Sequence, residues 1–210
     1  MAFVPVEIYS ETTYVPQYGL LTESQLRFVV ASKDKLALYV GAALQRQDKT
    51  ISSQDDLYEK NRVMAVVGGR WVIWKNLGLI LEARTEERSR GGLYVGDIWQ
   101  YSAAGLPLFT EFYVESFVLP SFHNDPVSTG WLKQGLRYQL AERFLLDPYL
   151  ELYARRSPSP DLGRNTDQGR IGLRGIYLRE NWSVAAMFYQ SYPTDEAPHE
   201  EALLVFGGTF

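Results

Sequence analysis

The sequence predicts an all-β chain folded as a transmembrane, antiparallel, up-and-down β-barrel of twelve strands. Three observations lead there. Nearly every patterned segment alternates with period two rather than 3.6. The connections between segments alternate between short and long. The charged residues of the segments sit on the face opposite the aliphatic row.

The alternation is plainest in the first half of the chain. Leu36, Leu38, Val40, Ala42 and Leu44 share one face, and Ala37, Tyr39, Gly41, Ala43 and Gln45 the other. Next, Val63, Ala65, Val67, Gly69, Trp71 and Ile73 oppose Arg62, Met64, Val66, Gly68, Arg70 and Val72. Then Leu79, Leu81, Ala83 and Thr85 oppose Glu82, Arg84, Glu86 and Arg88. The predicted strands are 4–15, 24–32, 35–46, 62–73, 77–88, 92–102, 107–119, 130–141, 147–156, 169–179, 182–191 and 201–210. In 92–102, Asp97 shares a parity with Leu93, Val95 and Trp99, which suggests a bulge. No helix is predicted. Segments of this length suit strands that cross a bilayer at a tilt, and single-chain bacterial barrels have even strand numbers.

Short connections fall at 32–34, 74–76, 142–146 and 179–181; longer ones, rich in Pro, Asp, Asn and Ser, fall at 49–61, 121–129, 157–168 and 192–200. Short periplasmic turns facing long extracellular loops are the pattern of membrane barrels. Trp71, Trp74, Phe144, Tyr149 and Trp182 flank the short turns, where an interfacial aromatic girdle belongs. A soluble twelve-stranded barrel would have to fill a wide interior with Ala, Val, Leu and Gly, which are too small for it. The aliphatic row is therefore assigned to lipid. An open twelve-stranded sandwich is the remaining alternative.

Bulk properties agree and narrow the function. The 210 residues carry a net charge of −4 and no long basic run, which argues against nucleic-acid binding. Cysteine is absent, which excludes disulfides, thiol chemistry and Cys-based zinc sites. No apolar run approaches a transmembrane helix. Residues 1–10 lack a basic segment followed by an apolar run, so the expectation is one domain, 1–210, in a mature form or excised from a longer precursor.

The last segment, 201–210, places Ala202, Leu204, Phe206, Gly208 and Phe210 on one parity and ends on Phe. This resembles the C-terminal strand of bacterial outer-membrane β-barrel proteins, with Gly208 standing where a bulkier apolar residue is usual. The resemblance implies an outer-membrane location. It also implies an assembly signal in Phe206 and Phe210, read by the barrel-assembly machinery. The hairpin at 69–84 and the segment 148–155 resemble the C-terminal barrel of bacteriophage adsorption protein A and the barrels of exopolysaccharide-export proteins. Those barrels follow helical repeats that this chain lacks.

The residues assigned to the lumen are Arg27, Arg62, Arg70, Glu82, Arg84, Glu86, Arg88, Glu111, Tyr113, Glu115, Lys133, Arg137, Glu151, Tyr153, Arg155, Arg170 and Arg174. Two readings of them stay open. They line a polar pore, with Arg70, Arg84, Glu115 and Arg137 near its narrowest point, or they pair with one another and brace a closed barrel. Mixed signs argue against a strongly ion-selective field. Catalysis is not expected. Ser121, His123 and Asp125 are neighbours in one loop rather than convergent side chains. His199 among Asp195, Glu196, Glu200 and Glu201 reads as a solvated acidic loop. The loop 55–60 is a candidate receptor surface. No glycine-rich phosphate loop opens a helix, and no cofactor or metal is expected.

The expected function is a passive channel or a polymer- or saccharide-export pore. The alternative is a structural or interaction barrel, such as a membrane anchor, partner scaffold or phage receptor, with an occluded lumen. Expected partners are outer-membrane lipid and lipopolysaccharide, the assembly machinery and a periplasmic or surface protein.

Overall fold

A computed structural model describes residues 5–15, 19–47, 61–85, 90–118, 126–157, 165–194 and 196–210. Its strands are β1 (Val6–Val15), β2 (Gly19–Lys33), β3 (Leu36–Gln47), β4 (Arg62–Trp74), β5 (Leu77–Arg84), β6 (Arg90–Ala103), β7 (Leu106–Val118), β8 (Pro126–Leu136), β9 (Tyr138–Ala141), β10 (Phe144–Arg156), β11 (Thr166–Leu178), β12 (Trp182–Pro193) and β13 (His199–Thr209). Each pairs antiparallel with its neighbours in chain order, and β13 pairs with β1 to close the ring. Segments β8 and β9 are halves of one strand. They are interrupted at Arg137, whose N–H continues the ladder to the Pro107 carbonyl at 2.8 Å. The fold is thus a closed antiparallel barrel of twelve strands.

The closure is complete to the chain end. The amides of Val6 and Phe210 each donate to the other's carbonyl at 2.7 Å. A closed ring leaves no sheet edge, as strands crossing hydrocarbon require. Tight turns at Asp34-Lys35, Lys75-Asn76, Ala104-Gly105 and Glu142-Arg143 gather at one end. At Ala104-Gly105 both residues have positive φ, 51° and 77°, the backbone of a type I′ hairpin turn.

The pleat sorts side chains as the alternation requires. Leu152 is 67% and Phe188 64% exposed on the outside, and Leu81, Val63 and Val67 lie there too. Tyr39, Met64, Phe109, Asp147 and Ser191 are fully buried inside. An exposed apolar surface that encircles a protein is unstable in water and suited to acyl chains.

Two expectations are corrected. Strand β6 pairs with β7 in unbroken register from Gly91 to Ala103, so there is no bulge at 92–102 in that ladder. Asp97 stays on the outer face, its carboxylate accepting the Ile98 N–H at 2.8 Å. It lies just beyond the Leu77–Val95 pair that ends β5, level with the Lys75-Asn76 turn and so at the barrel's rim. Register shifts occur instead at Val29/Ala31 and Val72/Trp74, and the latter puts Trp71 and Trp74 on the same outer face. Tyr149, assigned to the girdle, points inward and is buried.

Candidate functional site: the lumen

The lumen is divided. One half is packed with ion pairs, and the other holds an open passage. The packed half comes from β7 to β11. Asp147, fully buried, accepts from Arg137 (Nε to Oδ1 3.0 Å, Nη2 to Oδ2 2.7 Å) and from Arg174 (Nη2 to Oδ2 2.9 Å). Arg174 also donates to Glu111 Oε2 at 2.8 Å. Lys133 lies between Glu111 (3.9 Å) and Glu151 (3.5 Å), and Arg170 donates to Glu151 at 2.8 Å. Aromatic faces cover the cations: Phe109 under Arg137 and Arg174, Trp131 under Lys133, Tyr153 and Tyr189 against Arg170. Register explains the convergence, because Glu111, Lys133, Glu151 and Arg170 are successive cross-strand partners on β7, β8, β10 and β11. Each buried charge has a counter-charge, as burial demands.

A smaller cluster lies on the facing wall. Glu82, its side chain fully buried, accepts from Arg27 Nη2 and the Tyr39 hydroxyl at 2.8 Å each, and from Arg84 Nη2 at 3.2 Å. Arg84 stands 3.9 Å from Glu23, and Arg70 donates to Glu7 at 2.8 Å.

Between these walls runs a cavity of about 1240 Å³. At the loop end it is bounded by Gln45, Arg62, Thr129 and Arg155, and at the turn end by Arg179, Asn181 and Thr209. Among the described residues its lining therefore reaches from one end of the barrel to the other, along β13, β1 and β2 and across to β7 and β8. Its wall carries six arginines (27, 62, 70, 84, 155 and 179) against four glutamates (7, 11, 23 and 115). Tyr9 and Tyr113 also face it, from strands on opposite sides of the ring, and donate to Glu11 and Glu115 two residues along.

The sequence-assigned lumen residues divide accordingly. Arg27, Arg62, Arg70, Arg84, Tyr113, Glu115 and Arg155 line the cavity. Glu82, Glu111, Lys133, Arg137, Glu151, Arg170 and Arg174 belong to the ion-paired clusters, and Tyr153 packs on Arg170. Arg137, expected near the narrowest point, is instead tied to Asp147. Glu86, Arg88, the loop 55–60, the trio Ser121, His123 and Asp125, and Asp195 lie outside the described residues. Glu7 and Glu11, on the same polar parity as the assigned residues, line the cavity as well; the assignment missed Asp147 and Glu201, and the cavity residues Glu23, Gln25, Gln45 and Arg179. Asp147 carried a usable signal: it shares the parity of Glu151 and Arg155. Glu201 accepts from the Tyr189 hydroxyl at 2.9 Å and lies 3.0 Å from His199 Nε2. Among the described residues no group of three or more acidic or histidine side chains is arranged to hold a metal ion.

On the outer face, Phe210 is exposed and Phe206 packs against Trp182 with ring centroids 6.0 Å apart.

A closed antiparallel ring, apolar outside and ion-paired within, defines a transmembrane β-barrel of the outer-membrane type. Comparison with solved structures agrees on the fold. The chain is similar to an outer-membrane channel from Pseudomonas putida F1, at 10% identity and a TM-score of 0.51 over 100% of this chain and 97% of that one. Other similar structures are a bacterial polysaccharide outer-membrane secretin (10% identity, TM-score 0.47, 99% and 98% covered) and the β domain of the Bordetella autotransporter BrkA (13%, 0.45, 99% and 99%). No family model and no curated protein matches the sequence.

Proposed function

We propose that this chain is a passive channel of the bacterial outer membrane, through which small hydrophilic solutes diffuse. The observation that carries the reading is the end-to-end cavity walled by Arg, Glu, Gln, Thr and Asn side chains. Such a wall exchanges hydrogen bonds with a passing solute and leaves its covalent bonds alone. A saccharide fits this chemistry, since its hydroxyls match the amide and carboxylate groups and its ring faces match Tyr9 and Tyr113. An exported polysaccharide would use the same path in extended form. The reading places Phe206 and Phe210 at the signal for the assembly machinery.

The test is conductance in a planar bilayer. Discrete openings are expected from the purified protein, and Arg27→Ala with Arg70→Ala should change their size. A tight seal without openings would overturn the proposal. The second reading, a scaffold barrel with a blocked lumen, draws on the packed half. It predicts that seal, together with a partner recovered on gentle detergent extraction.

A further inference from the structure

Inward-facing rings of this barrel lie on glycines. Tyr39 covers Gly68, Tyr94 covers Gly78, Tyr113 covers Gly96, Phe109 covers Gly135 and Tyr149 covers Gly172. Each is a direct cross-strand pair, so the ring fills the space where the neighbouring strand has no side chain. A Cβ at Gly96 or Gly172 would stand 2.8 Å from the ring that covers it. The arrangement holds the rings against the wall, and Tyr39, Phe109 and Tyr149 are buried by it.

Tyr9 breaks the pattern. Its cross-strand partner on β13 is Gly207, which also lines the passage. Among the described residues no atom comes within 4 Å of a Cβ built there, so the Tyr9 ring does not lie on its glycine. The ring stands off the wall, 39% exposed, with its hydroxyl donating to Glu11. Tyr113 lies within electrostatic reach of it on the far wall.

We infer that Tyr9 is a movable gate that sets the size of solute the passage admits. Glu11 is its latch and the surface of Gly207 its socket. Latched, the ring projects into the path. Released, it lies on Gly207 as the other rings lie on their glycines, and the path widens. The movement is a rotamer step, because a side chain on a strand has two common χ1 wells. The socket fits the ring because a glycine opposite an aromatic residue leaves a ring-sized gap in the pleat. The inference rests on the proposed channel and names the residue that limits its bore.

Tyr9→Phe is the informative variant, since it keeps the ring and removes the bond to Glu11. The experiment measures single-channel conductance in potassium chloride and the swelling of proteoliposomes in arabinose, maltose or raffinose. Tyr9→Phe is expected to raise conductance by about twofold and to admit a larger sugar than the wild type, because bore governs both. Adding Gly207→Val fills the socket and is expected to return both readings to wild-type values. Tyr9→Ala is expected to be open whether or not Gly207→Val is present, which separates a filled socket from a distorted barrel. If bulk alone mattered, Tyr9→Phe would behave as the wild type, and that result would overturn the inference. An undiminished Tyr9→Phe conductance after Gly207→Val would also overturn it. Should Gly207→Val fail to fold, the comparison of Tyr9→Phe with the wild type still decides. A conducting wild type matched by Tyr9→Phe removes the gate and leaves the channel. A seal in the wild type that opens in Tyr9→Phe supports a gate that rests shut. A seal in every variant removes the gate and the channel together.

Discussion

Glu11 and Glu23 stand directly opposite each other on β1 and β2, and both face the open passage. Like charges in this position repel, at a cost of about 0.2–1 kcal/mol. Tyr9 and Gln25 each donate to one of the two carboxylates, which disperses the charge without cancelling it. Glu11→Gln should therefore leave stability unchanged or raise it by up to about 1 kcal/mol. It should also shift selectivity toward anions. The zero-current potential across a salt gradient reads this directly; an unchanged potential would mean that Glu11 does not face permeating ions.

Asp147 holds the packed half together. Its removal leaves Arg137 and Arg174 without their shared counter-charge in a buried setting. Breaking such a pair costs about 3–5 kcal/mol in a dry interior, and access of lumen water lowers that toward about 2. Asp147→Ala is expected to unfold at lower denaturant in lipid vesicles, while Glu11→Gln, on the passage, unfolds at or slightly above the wild-type midpoint. Equal midpoints for all three would show that the ion pairs brace nothing.

The orientation of the aliphatic row has its own test. Leu81 is exposed on the outer face. Leu81→Arg should cost about 2–4 kcal/mol if the site is near the bilayer midplane. Ile80→Arg, on the lumen side of the same strand and lining the passage, should cost less and alter conductance. Folding yield into vesicles distinguishes them, and a reversed order would mean that the outer face meets water.

Glycine packing inside the barrel gives a fourth expectation. A Cβ at Gly135 would press on the Pro148 carbonyl and approach Phe109 Cε1 to 2.8 Å. Backbone cannot yield as a flexible side chain does, so Gly135→Ala should destabilise by about 1–3 kcal/mol. Gly169→Ala, facing open space, should be neutral. Thermal unfolding in detergent compares them.

The strand inventory was legible because one face of each strand meets lipid and the other does not, which imprints period two. The signal fades where a strand leaves the belt. The sequence suggests 24–32 and 130–141, whereas the strands begin at Gly19 and Pro126, in stretches at the loop end where apolar and polar residues no longer alternate. Asp97 misled for the opposite reason. At the rim a charge on the outer face is solvated, so broken alternation there does not signal a bulge. The division of the lumen was not legible. Alternation places Glu111 and Glu115 on one face of β7, but only the closed ring shows the first enclosed by Arg174 and Lys133 and the second on the passage. Tyr149 reads as a girdle residue from its distance to a turn. Its parity with Glu151 was the better guide.

The off-centre passage separates two demands that usually collide. The ionic keel lies on β7 to β11, while the cavity runs mainly along the seam where the first two strands adjoin the last. Among the described residues, the side chains of Glu11 and Gln25 on that seam bond only to their near neighbours Tyr9 and Glu23, so little of the scaffold's rigidity depends on them. A relative with a different lumen would be expected to differ first at positions such as Glu11 and Gln25, and to keep Asp147.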